Sequence, residues 1–453
     1  MAFKVSGIAK YLRPIVQTAS LSIVIWLFLT LAYPLNMPWS NPLLAADPFN
    51  ALASILYSRG SFIPVLLLVG VLLIGSALLG RVFCGWICPV GFLIDLSGTL
   101  SAPFSKLLKK KPVRDRFGYL QYGILAAAIL FSLITLDLLA VLDPFVIFQR
   151  SLVTVYTAAG VPIVLLLILI GSIVIAPRFW CRAICPSGAL IGAASVPSPF
   201  KFKMEKDCKR CMKCYRACPM GALSNKGSWD ATACIKCLKC EDACPDDKIS
   251  FAPSVPDVPA VSLTRRSMLA AGAAMGLFAV SKGMATAAAS SDQPLIRPPG
   301  SLVEVKFNAA CARCESCVKA CLGNVIRPAG LDKGLDRYYT PALDFLSGKC
   351  ERCGSCGQVC PTGAIVSIPE EEIKIGTAVI NEETCLEWTG NKKCLVCKEV
   401  CPVDAVVQTG RRSGTHKPVV DKDLCIGCGA CEHECPLEEK AVIITNEGER
   451  RRA

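Results

Sequence analysis

Histidine is almost absent from this 453-residue chain: there are two, His416 and His433, and no C-x-x-C-H run. That excludes c-type haem and argues against bis-His haem or a His-rich metal centre. Charged residues are sparse at 19%, against 53% hydrophobic residues. This is more apolar than a soluble globular protein, so membrane spans are expected. The 28 Cys sit in a chain too long for a disulfide scaffold, which is usually a short secreted domain. The length suits three or four domains.

The net charge of +13 is unevenly spread. Residues 292–453 hold 21 basic and 23 acidic side chains, so the excess belongs to residues 1–291. Four apolar runs lie there: Ile15–Tyr33, Phe62–Leu79, Phe117–Leu139 and Val161–Ala176. Each is near the ~20 residues of a spanning helix. Basic residues cluster at the N-terminus (Lys4, Lys10, Arg13), between the second and third runs (Lys106, Lys109, Lys110, Lys111, Arg114, Arg116) and after the fourth (Arg178, Arg182, Lys201, Lys203). The other two loops hold one each, Arg59 and Arg150. The positive-inside rule puts the three basic segments in the cytoplasm. The basic excess therefore reads as membrane topology, not as a nucleic-acid surface.

This region repeats itself. Asp47-Pro48-Phe49, a helix, then Arg81 and Cys84-x3-Cys88-Pro89 are matched by Asp143-Pro144-Phe145, a helix, then Arg178 and Cys181-x3-Cys185-Pro186. The offset is 96 residues at the Asp and 97 at the Cys. Two like units in one orientation predict a pseudo-two-fold axis along the membrane normal. Such an axis joins the two C-x3-C-P elements at the cytoplasmic surface and leaves the Asp-Pro-Phe elements at the periplasmic ends.

The other 24 Cys form tetrads. The spacing C-x2-C-x2-C-x3-C occurs at Cys208/Cys211/Cys214/Cys218, Cys234/Cys237/Cys240/Cys244, Cys311/Cys314/Cys317/Cys321, Cys350/Cys353/Cys356/Cys360 and Cys425/Cys428/Cys431/Cys435. A variant with a longer first gap occurs at Cys385/Cys394/Cys397/Cys401. Three thiolates on a tight loop hold one cubane cluster and the fourth crosses to the neighbouring one. A zinc ribbon has no use for a third evenly spaced Cys. Six [4Fe-4S] clusters are expected. Crossing assigns Cys208, Cys211, Cys214 with Cys244, and Cys234, Cys237, Cys240 with Cys218. If adjacent motifs pair in the second domain, the sets are Cys311, Cys314, Cys317 with Cys360; Cys350, Cys353, Cys356 with Cys321; Cys385, Cys394, Cys397 with Cys435; and Cys425, Cys428, Cys431 with Cys401. An outer-with-outer pairing is the alternative. Cys321 is followed by Leu322 instead of Pro, so its turn is expected to differ. The remaining Cys84, Cys88, Cys181 and Cys185 suit a seventh, shared iron–sulfur site, a redox dithiol, or structural thiols.

The expected fold is multi-domain: an all-α transmembrane four-helix unit with a two-fold repeat (1–200), an α+β bacterial-ferredoxin-like 2[4Fe-4S] domain (201–250), a linker (251–310), and a 4[4Fe-4S] ferredoxin-like domain (311–453). The linker contains Arg265-Arg266-Ser267-Met268-Leu269 and an apolar run. This is like an internal twin-arginine signal over about 267–289, or a fifth membrane helix. Both readings place the last domain across the membrane.

Residues 1–250 resemble the NapH-type membrane ferredoxins on their four apolar runs, two C-x3-C-P motifs and paired tetrads. Residues 264–453 resemble the NapG-type exported four-cluster ferredoxins, so the chain reads as a fusion of two proteins. The resemblance implies a multi-pass protein of the bacterial cytoplasmic membrane, with the N-terminus and 201–250 cytoplasmic and the last domain periplasmic. It implies a quinol dehydrogenase, with menaquinol the expected quinol, in contact with lipid and the quinone pool. Its electron-accepting partner would be a periplasmic reductase or multihaem cytochrome c. An assembly factor for a respiratory enzyme, or flow from a cytoplasmic donor to quinone, are the competing readings. Quinol chemistry needs proton acceptors, for which Asp47, Asp137 and Asp143 are candidates. Asp47 and Asp143 equally suit helix N-caps before Pro, and Asp137 an interfacial position. Arg59 and Arg150 are candidate quinone contacts or solvated anchors, and Trp86 and Trp180 read as interfacial aromatics.

Overall fold

The computed structural model describes residues 5–30, 44, 47–49, 51, 63–100, 118–133, 142–158, 160–205, 207–224, 228–253, 295–334, 336–390, 393–409 and 417–452. These fall in two compact units, one up to Pro253 and one from Leu295. Arg59, Asp137 and the twin-arginine-like stretch lie outside the described residues.

The first unit is helical: α1 (Val5–Thr30), α2 (Ile63–Leu79), α3 (Val82–Trp86), α4 (Pro89–Leu100), α5 (Gly118–Leu133), α6 (Pro144–Tyr156), α7 (Ile163–Val174), α8 (Phe179–Ala183) and α9 (Pro186–Ala194). The four apolar runs become α1, α2, α5 and α7. Among the described residues, only Lys10–Thr30 is long and apolar enough to cross a membrane; Leu66–Leu79 and Ile163–Val174 are apolar but shorter. The repeat is visible in the elements themselves. α3 and α8 start and end 97 residues apart, and α4 and α9 each begin on the Pro after the second Cys. Proline suits that first helical position because its missing N–H has no partner to lose there.

Helix α6 corrects the sequence reading. Asp143 caps it, accepting from the Phe145 amide at 2.8 Å, with Pro144 first in the helix. The cap and the proline are as the Asp-Pro-Phe pattern predicts, but the position is not. Ser187, two residues after Cys185, donates to Asp143 Oδ2, and Phe145 stacks on Phe83 of α3 with centroids 5.5 Å apart. The second Asp-Pro-Phe element therefore stands beside the C-x3-C-P elements and not at the far end of the repeat. Arg150 is likewise inside α6 and 6% exposed, so it is neither a loop residue nor a solvated anchor.

After α9, strand β1 (Phe200–Met204) pairs antiparallel with β2 (Ile249–Pro253), Phe202 opposite Phe251. The two short helices between them, α10 (Lys213–Ala217) and α11 (Lys239–Asp242), pack together.

The second unit is built from one-turn helices and two-stranded sheets. Its elements are α12 (Glu304–Ala310), α13 (Ser316–Ala320), β3 (Ile326–Pro328), β4 (Pro341–Leu343), α14 (Ser355–Gln358), β5 (Thr377–Ile380), α15 (Leu386–Thr389), α16 (Val396–Glu399), β6 (Val406–Thr409), β7 (Lys417–Val420), α17 (Ala430–His433) and β8 (Val442–Thr445). The antiparallel pairs are β3–β4, β5–β8 and β6–β7. Its core mixes Leu302, Phe307, Ile365, Ile375 and Ile444 with ten of its cysteines. The stretch read as linker up to residue 310 is part of this unit from Leu295 onward. Arg297 and Phe307 are fully buried, and the Arg297 guanidinium lies 4.6 Å from the Phe307 ring centroid. Burying Phe307 offsets the cost of ordering a segment that the flanking Pro298 and Pro299 make look extended.

Candidate functional site

The C-x2-C-x2-C loops share a backbone geometry. In each of five, the residue before the second Cys and the residue after it have positive φ: Arg210 and Met212, Lys236 and Leu238, Arg313 and Glu315, Arg352 and Gly354, Gly427 and Gly429. A one-turn helix follows immediately each time. Left-handed residues fold a loop so that successive N–H groups face one concavity, which suits an anion. For a non-glycine residue this costs roughly 1–2 kcal/mol, so its recurrence from loop to loop signals a requirement. The variant motif departs from it, since α15 fills its longer gap and Leu395 has φ −129°.

The structure gathers the cysteines in crossed sets. Cys311, Cys314, Cys317 and Cys360 line one cavity, and Cys218, Cys234, Cys237 and Cys240 line another. Cys385, Cys394, Cys397 and Cys435 line a third, with Cys431 at its edge. Cys350 and Cys356 interact electrostatically with Cys321 and with Cys353. Cys428 and Cys431 interact with Cys401 and Cys425. Cys208, Cys211 and Cys214 lie together. In five of the six sets these neighbours are those of adjacent-motif crossing.

Cys353 lies with Cys350 and Cys356 and is half-buried. The Ser355 hydroxyl donates to Cys353 Sγ at 3.2 Å and ties it to its own loop. One position differs from the sequence reading, Cys321. Its backbone (φ −74°, ψ 109°) matches that at Cys218 (φ −76°, ψ 110°), so Leu322 in place of Pro leaves the turn unchanged. Backbone amides donate to the sulfurs elsewhere: Lys248 to Cys244 at 3.3 Å, Ile365 to Cys360 at 3.4 Å and Ala405 to Cys401 at 3.3 Å.

The sets suit clusters better than single ions. Among the described residues, no three Cys, His, Asp or Glu side chains converge tightly enough for one metal ion. A zinc ion with Zn–S bonds of about 2.3 Å needs that convergence. Here the thiols ring a cavity, as a body several ångström across requires. Burial pushes the Cys311 thiol up to about 12 and the Cys234 thiol up to about 11. Metal loading must therefore displace protons from these loops.

In the second unit the sets form a row. Cys317 interacts with Cys356, the Cys350 amide donates to the Cys428 carbonyl at 2.8 Å, and Cys431 interacts with Cys397. The spatial order is thus the 311, 350, 425 and 385 sets, with the last two exchanged relative to the chain.

The four remaining cysteines meet in the first unit. Cys84, Cys88, Cys181 and Cys185 belong to one apolar cluster, which also takes in Cys218 and Cys237 of the ferredoxin set. Two buried arginines tie the repeat together by exchange. Arg178 Nη1 donates to the Cys84 carbonyl at 2.9 Å, and Arg81 Nη2 to the Cys181 carbonyl at 3.1 Å. Gly91 and Gly188 make room for them: a Cβ on Gly188 would stand 2.3 Å from Arg81 Nη2. The Gly188 amide also donates to Cys185 Sγ at 3.2 Å.

This group abuts the ferredoxin loop directly. Trp86 Nε1 donates to the Lys236 carbonyl at 3.1 Å, Arg81 Nη1 donates to the Thr232 carbonyl at 3.3 Å, and a Cβ on Gly85 would stand 2.5 Å from the Ile235 carbonyl. Trp86 is thus a contact between the two domains, and Trp180 is buried. Of the proton-acceptor candidates, Asp143 is placed beside Cys185. Asp47 is buried and caps Phe49 at 3.1 Å. Sequence reasoning missed the left-handed loop residues and the Arg81–Arg178 exchange. The arginines at fixed spacing before each C-x3-C-P were the available signal.

Comparison with known proteins agrees with the cysteine pattern. A 4Fe-4S binding domain matches residues 61–112 and 157–205, which include the two C-x3-C-P elements. 4Fe-4S dicluster domains match 200–245 and, in the second unit, 310–364, 349–405 and 392–438. The ferredoxin-type protein NapG of Escherichia coli is 36% identical over 194 residues, 40% of this chain and 80% of the relative. The methylamine utilization ferredoxin-type protein MauM of Methylophilus methylotrophus is 32% identical over 208 residues, 44% of this chain and 91% of the relative. The ferredoxin-type protein NapF of Escherichia coli is 31% identical over 142 residues, 31% of this chain and 80% of the relative. No solved structure matches the chain. Crossed cysteine sets, several 4Fe-4S binding domains and these relatives together make this chain a member of the ferredoxin-type NapG/MauM family, a multi-cluster iron–sulfur protein of electron transfer.

Proposed function

We propose that the chain is a membrane-bound quinol dehydrogenase, a NapH-like membrane part fused to its NapG-like part, that passes electrons to an acceptor outside the cytoplasm. The observation that carries this reading is the direct contact between the C-x3-C-P group and the ferredoxin set through Arg81, Trp86 and Gly85. A dithiol or a structural staple has no need of that contact; an electron entry point does.

The residues divide the work. Cys84, Cys88, Cys181 and Cys185 would hold a seventh iron–sulfur centre within the repeat. Cys234, Cys237, Cys240 and Cys218 would hold the next, and Cys208, Cys211, Cys214 and Cys244 the one beyond. The four sets of the second unit would hold a row of four. When bound, such clusters take up and release single electrons without proton chemistry. Protons must then leave the quinol by another route, and Asp143, held by Ser187 beside Cys185, is the acceptor best placed to take them. The exposed faces of α2 and α7 support a lipid setting. Leu67, Val71 and Ile74 of α2 and Ile163 and Leu167 of α7 are each more than 60% exposed, apolar surface that water disfavours and lipid does not.

The test is anaerobic addition of a water-soluble menaquinol analogue to the purified full chain, with an artificial electron acceptor. Oxidation of the quinol, abolished in Cys84→Ser and slowed about tenfold or more in Asp143→Asn, is expected. Clusters that dithionite reduces but quinol never does would contradict the proposal and favour an assembly role.

A further inference from the structure

The two halves of the repeat differ at one position that changes the charge around the four cysteines. Seven residues after Cys88 stands Asp95; seven residues after Cys185 stands Gly192. Asp95 is the counter-ion of Arg178, with Nε at 3.0 Å and Nη2 at 2.8 Å, and Arg13 donates to the same carboxylate. Arg81, the repeat-mate of Arg178, has no carboxylate partner among the described residues. Its donors go to Cys84 Sγ at 3.4 Å, to the Cys181 carbonyl and to the Thr232 carbonyl. The place of a carboxylate is closed by packing, since a Cβ on Gly192 would stand 2.7 Å from the Thr232 carbonyl oxygen.

Arg81 and Arg178 are each 1% exposed and Arg13 is 7% exposed. Arg178 and Arg13 thus share the Asp95 carboxylate, and Arg81 is bound to none among the described residues. An uncompensated buried cation is costly, and it persists where something else supplies the negative charge. Arg81 faces the cysteine group: Cys84, Cys185 and Cys181 interact with it electrostatically. The sulfur that accepts from Arg81 is Cys84 Sγ; with a centre bound, the thiolates that hold it would supply the negative charge.

We propose that Arg81 is the charge-setting residue of the C-x3-C-P centre: its unneutralised guanidinium, donating to Cys84 Sγ, raises the potential of whatever centre the four thiolates hold. Reduction adds one negative charge to that centre, and a nearby buried cation stabilises the added charge. Asp95 has the opposite influence, because it cancels the charge that Arg178 would otherwise present from the other side. The proposal rests on the reading that the four cysteines hold an iron–sulfur centre.

The experiment is a potentiometric titration of the detergent-solubilised full chain with dithionite and ferricyanide, followed by electron paramagnetic resonance, with iron counted in each sample. Arg81→Gln is expected to lower the midpoint of the C-x3-C-P centre alone, Arg81→Lys to restore most of it, and Asp95→Asn to raise it. If Arg81→Gln fails to assemble that centre, the upward shift in Asp95→Asn remains required. A midpoint unmoved in every assembled variant, or moved in the same direction by Arg81→Gln and Asp95→Asn, overturns the role of Arg81 while leaving the centre in place. A wild-type chain with six clusters and no seventh signal overturns the underlying reading, and the proposal with it.

Discussion

At the scale of single residues, the C-x3-C-P group is set by what glycine allows. Gly188 lies against Arg81 Nη2, and that guanidinium is buried with no room to retreat. Gly188→Ala is expected to displace Arg81, to cost about 1–3 kcal/mol, and to lower the iron content by one cluster. Gly123→Ala, a helix position with nothing within 4 Å of the added Cβ, is the control and should leave iron unchanged. Thermal unfolding and iron analysis of the two variants read both effects. Cysteine spacing made the grouping of the cysteines legible because three of each four lie on one loop, and the repeated motif points to the fourth. How deeply each ligand is buried was not legible: identical spacing leaves Cys314 buried and Cys353 half-buried. Nor were the left-handed residues, since Met212, Leu238 and Glu315 have side chains that give no hint of positive φ. They are held there by the loop and not by their own preference.

At the scale of elements, α12 shows how a charge network fixes a boundary that composition hides. Glu304 receives Arg297 Nη2 at 2.6 Å and Arg451 Nη1 at 2.7 Å, joining the start of the second unit to its C-terminus. Burial works against the charge of Glu304, but hydrogen bonds and charge from Arg297 and Arg451 outweigh it and hold the carboxyl at about 2. A depressed carboxyl stabilises the folded form above its unfolded value near pH 4.5 and loses that contribution as pH falls through the folded value. Glu304 is partly solvated, so the contribution is roughly 2 kcal/mol. Glu304→Gln should therefore speed hydrogen exchange across 295–310 at neutral pH, with the difference from wild type shrinking as pH falls from 4.5 toward about 2. An unchanged exchange rate at neutral pH would count against the network. Partners 147 residues apart are beyond any local pattern, and Pro298 and Pro299 made the same segment read as linker. The 97-residue repeat, by contrast, was legible because it lies in the sequence itself. What it left open was depth, and the contact of Ser187 with Asp143 brings one Asp-Pro-Phe element next to the cysteines.

At the scale of the whole molecule, the cysteines make two arrangements of centres. In the first unit the C-x3-C-P group leads into the ferredoxin pair; in the second, four sets stand in a row whose ends are the 311 and 385 sets. The surplus of basic residues lies before position 292 and is absent afterward, as the proposed membrane setting of the first part requires. The central claim is that all 28 cysteines are cluster ligands, including the four that no ferredoxin loop contains. Iron and acid-labile sulfide per chain test it most directly, measured on the anaerobically purified full chain and on Cys84→Ser/Cys181→Ser. Seven four-iron centres predict about 28 iron atoms in the first and about 24 in the second, with matching sulfide. About 24 in both would contradict the seventh centre, and a value far below about 24 in the wild-type chain would contradict the crossed ferredoxin sets as well.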